Sequence, residues 1–258
     1  MTSIKNKEIH IEQSSIDEKT KKGIDSSVKL FIGIPHNLDK ISMNFISCLE
    51  YMKCFIGGEW ENIDPGTFRN KSNGWYIQFE SSHTIEIQRN NICLNAKKSG
   101  CTHILMIDSD MSFMPDYPYQ MLKEKKEIIY PLFFLRRPTD MKFNIPLYDK
   151  NRKFIGKEIG LFHGLVNGNF YMGSGSLLFD IKLLNKIKFP YFHTNINYCD
   201  FKSIVVGEDM YFCAQLCKKE INMVINTDII LAHDGYIQLP YEMYYLPSIN
   251  VRRIIKGE

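Results

Sequence analysis

The sequence predicts an α/β domain built on a mostly parallel sheet with helices on its faces. Two apolar runs, VKLFIGI and HILMI, are continuous rather than alternating, as strands covered on both faces are. Such runs alternate with segments of helical apolar spacing through the first half of the chain, the mark of βαβ units and parallel pairing. The length, 258 residues with 44% hydrophobic and 24% charged content, suffices for one large domain with its own core.

Residues 1–26 are polar, rich in Lys, Glu and Ser, and are expected to form a tail. The domain then occupies residues 27–258. VKLFIGIP (28–35) is a buried strand closed by a proline. DKISMNFISCLEYM (39–52) carries Ile41, Phe45, Ile46, Leu49 and Met52 at helical spacing. The segment 57–74 is rich in Gly, Asn and Pro and reads as a loop. WYIQFE (75–80) alternates as a strand does. SHTIEIQRNNICLNAKKSG (82–100) reads as a helix with Gly100 as its C-cap. HILMID (103–108) is the third strand, DYPYQMLKEKK a short helix, and EIIYPLFF a fourth strand. After Pro131 the rhythm changes, and residues from about 138 to 170 suggest a small antiparallel insertion. GSGSLLFDIKLLNKIKF reads as a glycine turn, a strand and a helix. GEDMYFCAQLCKKE is another helix, and NMVINTDIILAHDG is a strand or hairpin that ends at His233. No internal repeat is present.

Composition excludes some classes of function. The net charge of +3 is slight and the basic residues are spread along the chain, which argues against a dedicated nucleic-acid surface. No apolar run is long enough to cross a bilayer, and the N-terminus does not resemble a signal peptide. Seven cysteines, none in a CxxC pair, are expected to be reduced and mostly buried. Cys213 and Cys217 lie four apart without a nearby His to complete a zinc set. A cytoplasmic protein is expected, in the host cytoplasm if the source is a virus.

Four motifs carry candidate chemistry. The first is Asp108-Ser109-Asp110 at the end of HILMI. Ligands of doubly wound sheets bind beyond the carboxyl ends of the strands, where these acids project. Two carboxylates so close repel unless a cation or a proton intervenes, and their oxygens suit Mg²⁺ or Mn²⁺ carrying phosphates. Equally, a strand-end Asp can cap the next helix while its neighbour is solvated. The second motif is Gly207-Glu208-Asp209. Acids at a helix N-terminus satisfy the macrodipole, and one of them can also act as a general base. The third is His233, either structural or a metal ligand that favours Mn²⁺. The fourth is GSGS (173–176), either a tight turn or a place where backbone approaches a ligand.

The order of these motifs, with QRNNICLNAKKSGCTHILMIDSDMSF and VVGEDMYFCAQLCKK as the most specific stretches, resembles the GT-A glycosyltransferases. These transferases use nucleotide sugars and carry a DxD motif. The resemblance spans residues from about 28 to 236 and is nearest to the small soluble enzymes of bacteria, phages and large viruses. It implies a single GT-A domain with a Rossmann-like, mostly parallel central sheet flanked by helices. It implies transfer of a sugar from a UDP- or GDP-sugar to a hydroxyl of a glycan or glycoconjugate, with Mn²⁺ or Mg²⁺ as cofactor. Asp110 would ligate the cation directly, with Asp108 at the ribose or the cation's waters and Ser109 between them. Pro35, His36 and Asn37 would sit by the nucleobase and ribose. Arg89 would face the donor's phosphates or sugar, and Gly175 and Ser176 would line the acceptor side. Asp209 would be the base in an inverting reaction, with Glu208 its neighbour, and His233 the late metal-binding His. The insertion at 138–170 matches no motif of the family.

Two other readings compete. Asp108-Ser109-Asp110-Met111-Ser112 literally matches the DxDx[TS] signature of haloacid-dehalogenase-type phosphatases, in which Asp108 would be the nucleophile. That motif usually lies on the first strand, however, and here two strands precede it. The other reading is a nucleotide-sugar or glycan-binding module without activity.

Overall fold

The residues described by the computed structural model are 21, 24–36, 41–82, 84–133, 165–168, 172–199 and 202–233. The strand read at VKLFIGIP forms β1 (Leu30–Pro35), buried along its whole length. Successive side chains of a strand point to opposite faces. Accordingly Leu30, Ile32 and Ile34 join one buried cluster and Phe31 the other. The run HILMI, β5 (His103–Ile107), divides the same way, with Leu105 and Ile107 in one cluster and Ile104 and Met106 in the other. Past His103 at the start of β5, both runs lack polar positions because both faces of the sheet are covered.

The remaining strands are β2 (Trp60–Asp64), β3 (Thr67–Asn70), β4 (Tyr76–Glu80), β6 (Met111–Ser112), β7 (Ile128–Phe133), β8 (Leu165–Gly168), β9 (Ser176–Asp180), β10 (Asn195–Cys199), β11 (Lys202–Val206) and β12 (Met223–His233). The helices are α1 (Met43–Ile56), α2 (Ile85–Lys98), α3 (Tyr117–Lys123) and α4 (Glu208–Lys218). The main sheet runs β2-β3-β4-β1-β5-β9-β7-β12-β6, with β8 also on β12, while β10 and β11 form a separate hairpin. β1 is parallel to β4 and β5, and β7 is parallel to β12. β9 is antiparallel to both β5 and β7, so β5 and β7 point the same way. The central strands β4, β1, β5, β7 and β12 therefore share one direction, and the mixed α/β domain expected from the sequence is what forms. Residues of α1 and α3 pack in the cluster with Leu105, and residues of α2 and α4 in the cluster with Met106.

Local chemistry sets the element ends. Ser42 caps α1 by accepting from the Phe45 N–H at 2.9 Å. The last turn of α2 ends at Ser99, with Gly100 one residue beyond in the left-handed region at φ +69°. Pro131 falls inside β7, which a central strand tolerates poorly. It pairs with Asn226, where the ladder to β12 shifts register, and the ladder to β9 ends at Ile129. The Asn226 side chain holds this irregularity by accepting from the Asp228 N–H at 2.9 Å.

Several expectations need correction. Residues 57–74 are not a loop but contain the β2–β3 hairpin. Its strands are at most half-buried apart from Asn70 and show no clear apolar alternation; Trp60 and Phe68 pack against the core, and the Pro65-Gly66 turn and Asn70 help to hold the pair. The buried Asn70 side chain donates to the Gly57 carbonyl at 2.7 Å and accepts from the Ser72 N–H at 2.9 Å. The helix expected after GSGSLLFD is only a 3₁₀ turn, Ile181–Asn185, which delivers Leu183 and Leu184 to the core. The α1 helix starts at Met43, after Ile41, and runs on to Ile56. Nearly all of the 1–26 tail lies outside the described residues, as does the 138–170 insertion apart from β8.

Gly33 shows how closely α2 is seated. A Cβ on this residue would come within 2.2 Å of Ile92 Cγ2, far inside van der Waals contact. Gly33→Ala is expected to lower the unfolding free energy by about 1–3 kcal/mol, the usual cost of overpacking, as read from chemical denaturation. A neutral result would mean that α2 can slide on β1.

Candidate functional site

The shared strand direction brings the sequence-predicted residues to one edge of the sheet. Pro35 and His36 end β1, Asp108 follows β5, and Gly175 and Ser176 open the antiparallel β9. The Asp108 N–H donates to the Gly175 carbonyl at 2.8 Å, which joins the IDSD and GSGS motifs directly. The Met111 N–H returns to the Asp108 carbonyl at 3.1 Å, so Asp108-Ser109-Asp110 forms a tight turn. Met111 then pairs across to His233 at the end of β12. The His233 backbone is therefore next to the acidic turn, while its side chain lies outside the described residues. Asn37 is also outside them.

Arg89, on α2, reaches two of the acids. Its Nη2 donates to Asp108 Oδ1 at 2.9 Å and to Oδ2 at 3.1 Å. Its Nη1 donates to Glu208 Oε1 in the first turn of α4. The Arg89 side chain is only 4% exposed, against 26% for Asp108 and 15% for Glu208, so the ion pairs lie in low dielectric. Burial alone lowers the pKa of this guanidinium, but the charges of Asp108, Glu208 and then Asp209 outweigh it and raise the pKa overall. Underneath, the ring of Phe192 lies 5.9 Å from the guanidinium and stacks on Phe212 of α4 at 4.5 Å.

The residues on either side of Arg89 are also structural anchors, and sequence reasoning missed them. Gln88 donates to the His36 carbonyl at 3.1 Å and to the Ser82 carbonyl at 2.8 Å, fixing the exit of β1. Asn90 donates to the Phe192 carbonyl at 2.7 Å and accepts from the Tyr191 N–H at 2.8 Å, fixing the segment beneath Arg89. Glu86 accepts from the Thr194 N–H at 2.6 Å.

Asp209 lies beside Glu208 at the N-terminus of α4, where Gly207 is the N-cap without a capping side chain. Asp209 Oδ1 accepts from the Met210 N–H at 2.6 Å. A Cβ at Gly207 would come within 2.9 Å of that same oxygen, so glycine leaves the carboxylate room.

Ser176 is placed differently from the acceptor-side expectation. It is fully buried, its hydroxyl donates to the Met106 carbonyl at 3.0 Å, and it also shares a 2.6 Å hydrogen bond with Tyr117. The hydroxyl is thus committed to the core. Arg89 is likewise engaged with acids rather than presented to a ligand, although its Nε is buried and without a partner among the described residues. His36 Nδ1 and Ser174 Oγ share that condition. The thiol of Cys213 is pushed up to about 12 by burial, which removes it as a nucleophile.

A divalent cation at this end of the sheet would have few protein ligands among the described residues. Both oxygens of Asp108 accept from Arg89, so a cation at this carboxylate would share it with a buried guanidinium. Among the described residues no three His, Cys, Asp or Glu side chains converge as a cage. Mg²⁺ and related ions are commonly held by one or two carboxylates plus substrate phosphates, which is what this edge can offer.

No family model matches the chain, and no curated protein matches it in sequence. Among solved structures, the crystal structure of A197 from STIV is 14% identical, with 82% of this chain and 87% of that chain covered and a TM-score of 0.49. The inositol-1-phosphate CTP transferase from T. maritima is 9% identical, with 84% of this chain and 94% of that chain covered and a TM-score of 0.41. Neither likeness assigns an activity or a residue. Among the described residues no helix is long and apolar enough to cross a membrane.

Proposed function

We propose that this chain is a metal-dependent glycosyltransferase of GT-A architecture that moves a sugar from a nucleotide-sugar donor to a hydroxyl acceptor. One observation carries the reading. Asp108 of IDSD and Glu208 of GED are held by the same guanidinium, that of Arg89, although 119 residues separate Arg89 from Glu208. A divalent cation, Mn²⁺ or Mg²⁺, would stabilise the negative charge that develops on the departing nucleoside diphosphate. Asp110 holds it, supported by His233 at the end of the neighbouring strand. Asp209 accepts the proton of the acceptor hydroxyl in an inverting transfer, or orients that hydroxyl in a retaining one. Pro35 and His36, at the end of β1, border the nucleoside, with Asn37 following them in sequence. Asp108 and Glu208 support the acids beside them.

The phosphatase reading requires Asp108 as a nucleophile. Both its oxygens accept from a buried guanidinium, which lowers their nucleophilicity and restrains their motion.

Calorimetric titration with UDP- and GDP-sugars, each with and without Mn²⁺, tests the proposal. One or more donors should bind only with the cation, and their nucleoside diphosphate should be released when a sugar acceptor is added. Failure of the whole panel to bind, or phosphate release from a simple phosphomonoester, would sink it. Cation-dependent binding without release in any acceptor screen would instead favour the binding module.

A further inference from the structure

Arg89 belongs to α2, Asp108 to the end of β5 and Glu208 to α4, so one guanidinium ties three elements. Its two terminal nitrogens are divided between the two acidic motifs. A charge buried to this degree persists only when it is paired and hydrogen-bonded. The converse holds for its partners. Without Arg89, Asp108 and Glu208 would be two partly buried like charges held near the same point, an arrangement whose repulsion destabilises the fold.

We infer that Arg89 is a positioning residue that couples the two acidic motifs. It fixes the carboxylates of Asp108 and Glu208 and withdraws their charge from the site, so that the cation falls to Asp110 and the acceptor to Asp209. The last clause rests on the glycosyltransferase reading; the coupling of Asp108 to Glu208 does not. This role differs from that of an arginine that binds donor phosphates. A phosphate-binding arginine presents its donors to the ligand, whereas these terminal nitrogens face protein carboxylates.

The test uses the full chain and two readouts. The first is thermal unfolding of Asp108→Asn and Glu208→Gln, alone and combined with Arg89→Met. In the presence of Arg89 each substitution should lower the melting temperature, because it strips a counter-charge from a buried cation. In the Arg89→Met background each should raise it, because it relieves a like-charge pair. The same sign in both backgrounds overturns the coupling. If Arg89→Met does not fold, the Asp108→Asn/Glu208→Gln double variant decides. Its loss should exceed the sum of the single losses, since the cation then has lost both carboxylates in contact with it, and simple additivity overturns the inference.

The second readout is Mn²⁺ binding without nucleotide, followed by electron paramagnetic resonance of the free ion. Arg89→Met should bind Mn²⁺ roughly tenfold more tightly, since Asp108 becomes a second carboxylate for the ion, and Arg89→Lys should fall in between. Unchanged or weaker binding by the folded Met variant overturns the withdrawal of charge. If the unsubstituted protein takes up no Mn²⁺ while the signs still reverse, the cation reading has failed and the coupling stands. Mn²⁺ uptake without sign reversal has the opposite meaning.

Discussion

Asp209→Asn is expected to lower turnover about 10²–10⁴-fold, the usual contribution of a positioned general base, while donor affinity stays unchanged. The substitution is nearly isosteric. An amide oxygen can still accept from the Met210 N–H, which the carboxylate does at 2.6 Å, so the first turn of α4 should survive. What is lost is the capacity to take a proton. Glu208→Gln is the informative companion. Glu208 accepts from Arg89, so its loss should disturb the site by loosening a buried ion pair and should cost stability as well as rate. A base variant therefore shows a fall in kcat with the melting temperature preserved, and the Glu208 variant shows both falling. Turnover by Asp209→Asn at the level of the unsubstituted protein would remove Asp209 from the chemistry.

The parts of this fold that could be read from sequence are those whose burial writes itself into composition. β1 and β5 are covered on both faces, so their runs are apolar, from Ile104 on in β5, and no register has to be known. The β2–β3 hairpin could not be read this way. Its strands are only partly covered, and the buried Asn70, which helps to organise it, spends its side chain on the Gly57 carbonyl and the Ser72 N–H, contacts that leave no periodicity. The same distinction holds in the site. The acids at 108, 110, 208 and 209 stand out because each follows an apolar run or opens a helix. What Arg89 does with them depends on how α2, β5 and α4 are set against one another, which no local pattern encodes.

A signal was nevertheless present. Arg89 lies on the helical stripe of Ile92, Cys93 and Ala96, all buried, at spacings of three, four and seven. A charged residue on the core-facing stripe must find a counter-charge there. The only acids already singled out near that face were those of the two motifs. The burial of Ser176 was illegible for the opposite reason. A glycine-serine turn does not say which serine faces the core, and the β5–β9 ladder, which sets Ser176 against Ile107, decides it.

Asp110→Ala is expected to abolish Mn²⁺-dependent donor binding and with it all transfer. Asp108 is a poorer substitute, because both its oxygens accept from Arg89, at 2.9 and 3.1 Å, and the guanidinium repels a cation there. Protein ligands are few among the described residues, and an ion held by one or two carboxylates plus phosphates has little to fall back on when one is removed. The expected loss is at least a hundredfold in the donor's affinity, about 2.7 kcal/mol, with cation-independent nucleotide binding unchanged. The fold should be spared, since the substitution removes a charge from a turn whose closing hydrogen bond, from the Met111 N–H to the Asp108 carbonyl, is made by backbone. The combination with Arg89→Met sharpens the test. If Arg89 is what withholds Asp108, releasing it should restore part of the Mn²⁺ affinity that Asp110→Ala removed. Retention of full Mn²⁺-dependent donor binding by the single Asp110→Ala variant would show that the cation is held elsewhere and that the acidic turn serves another purpose.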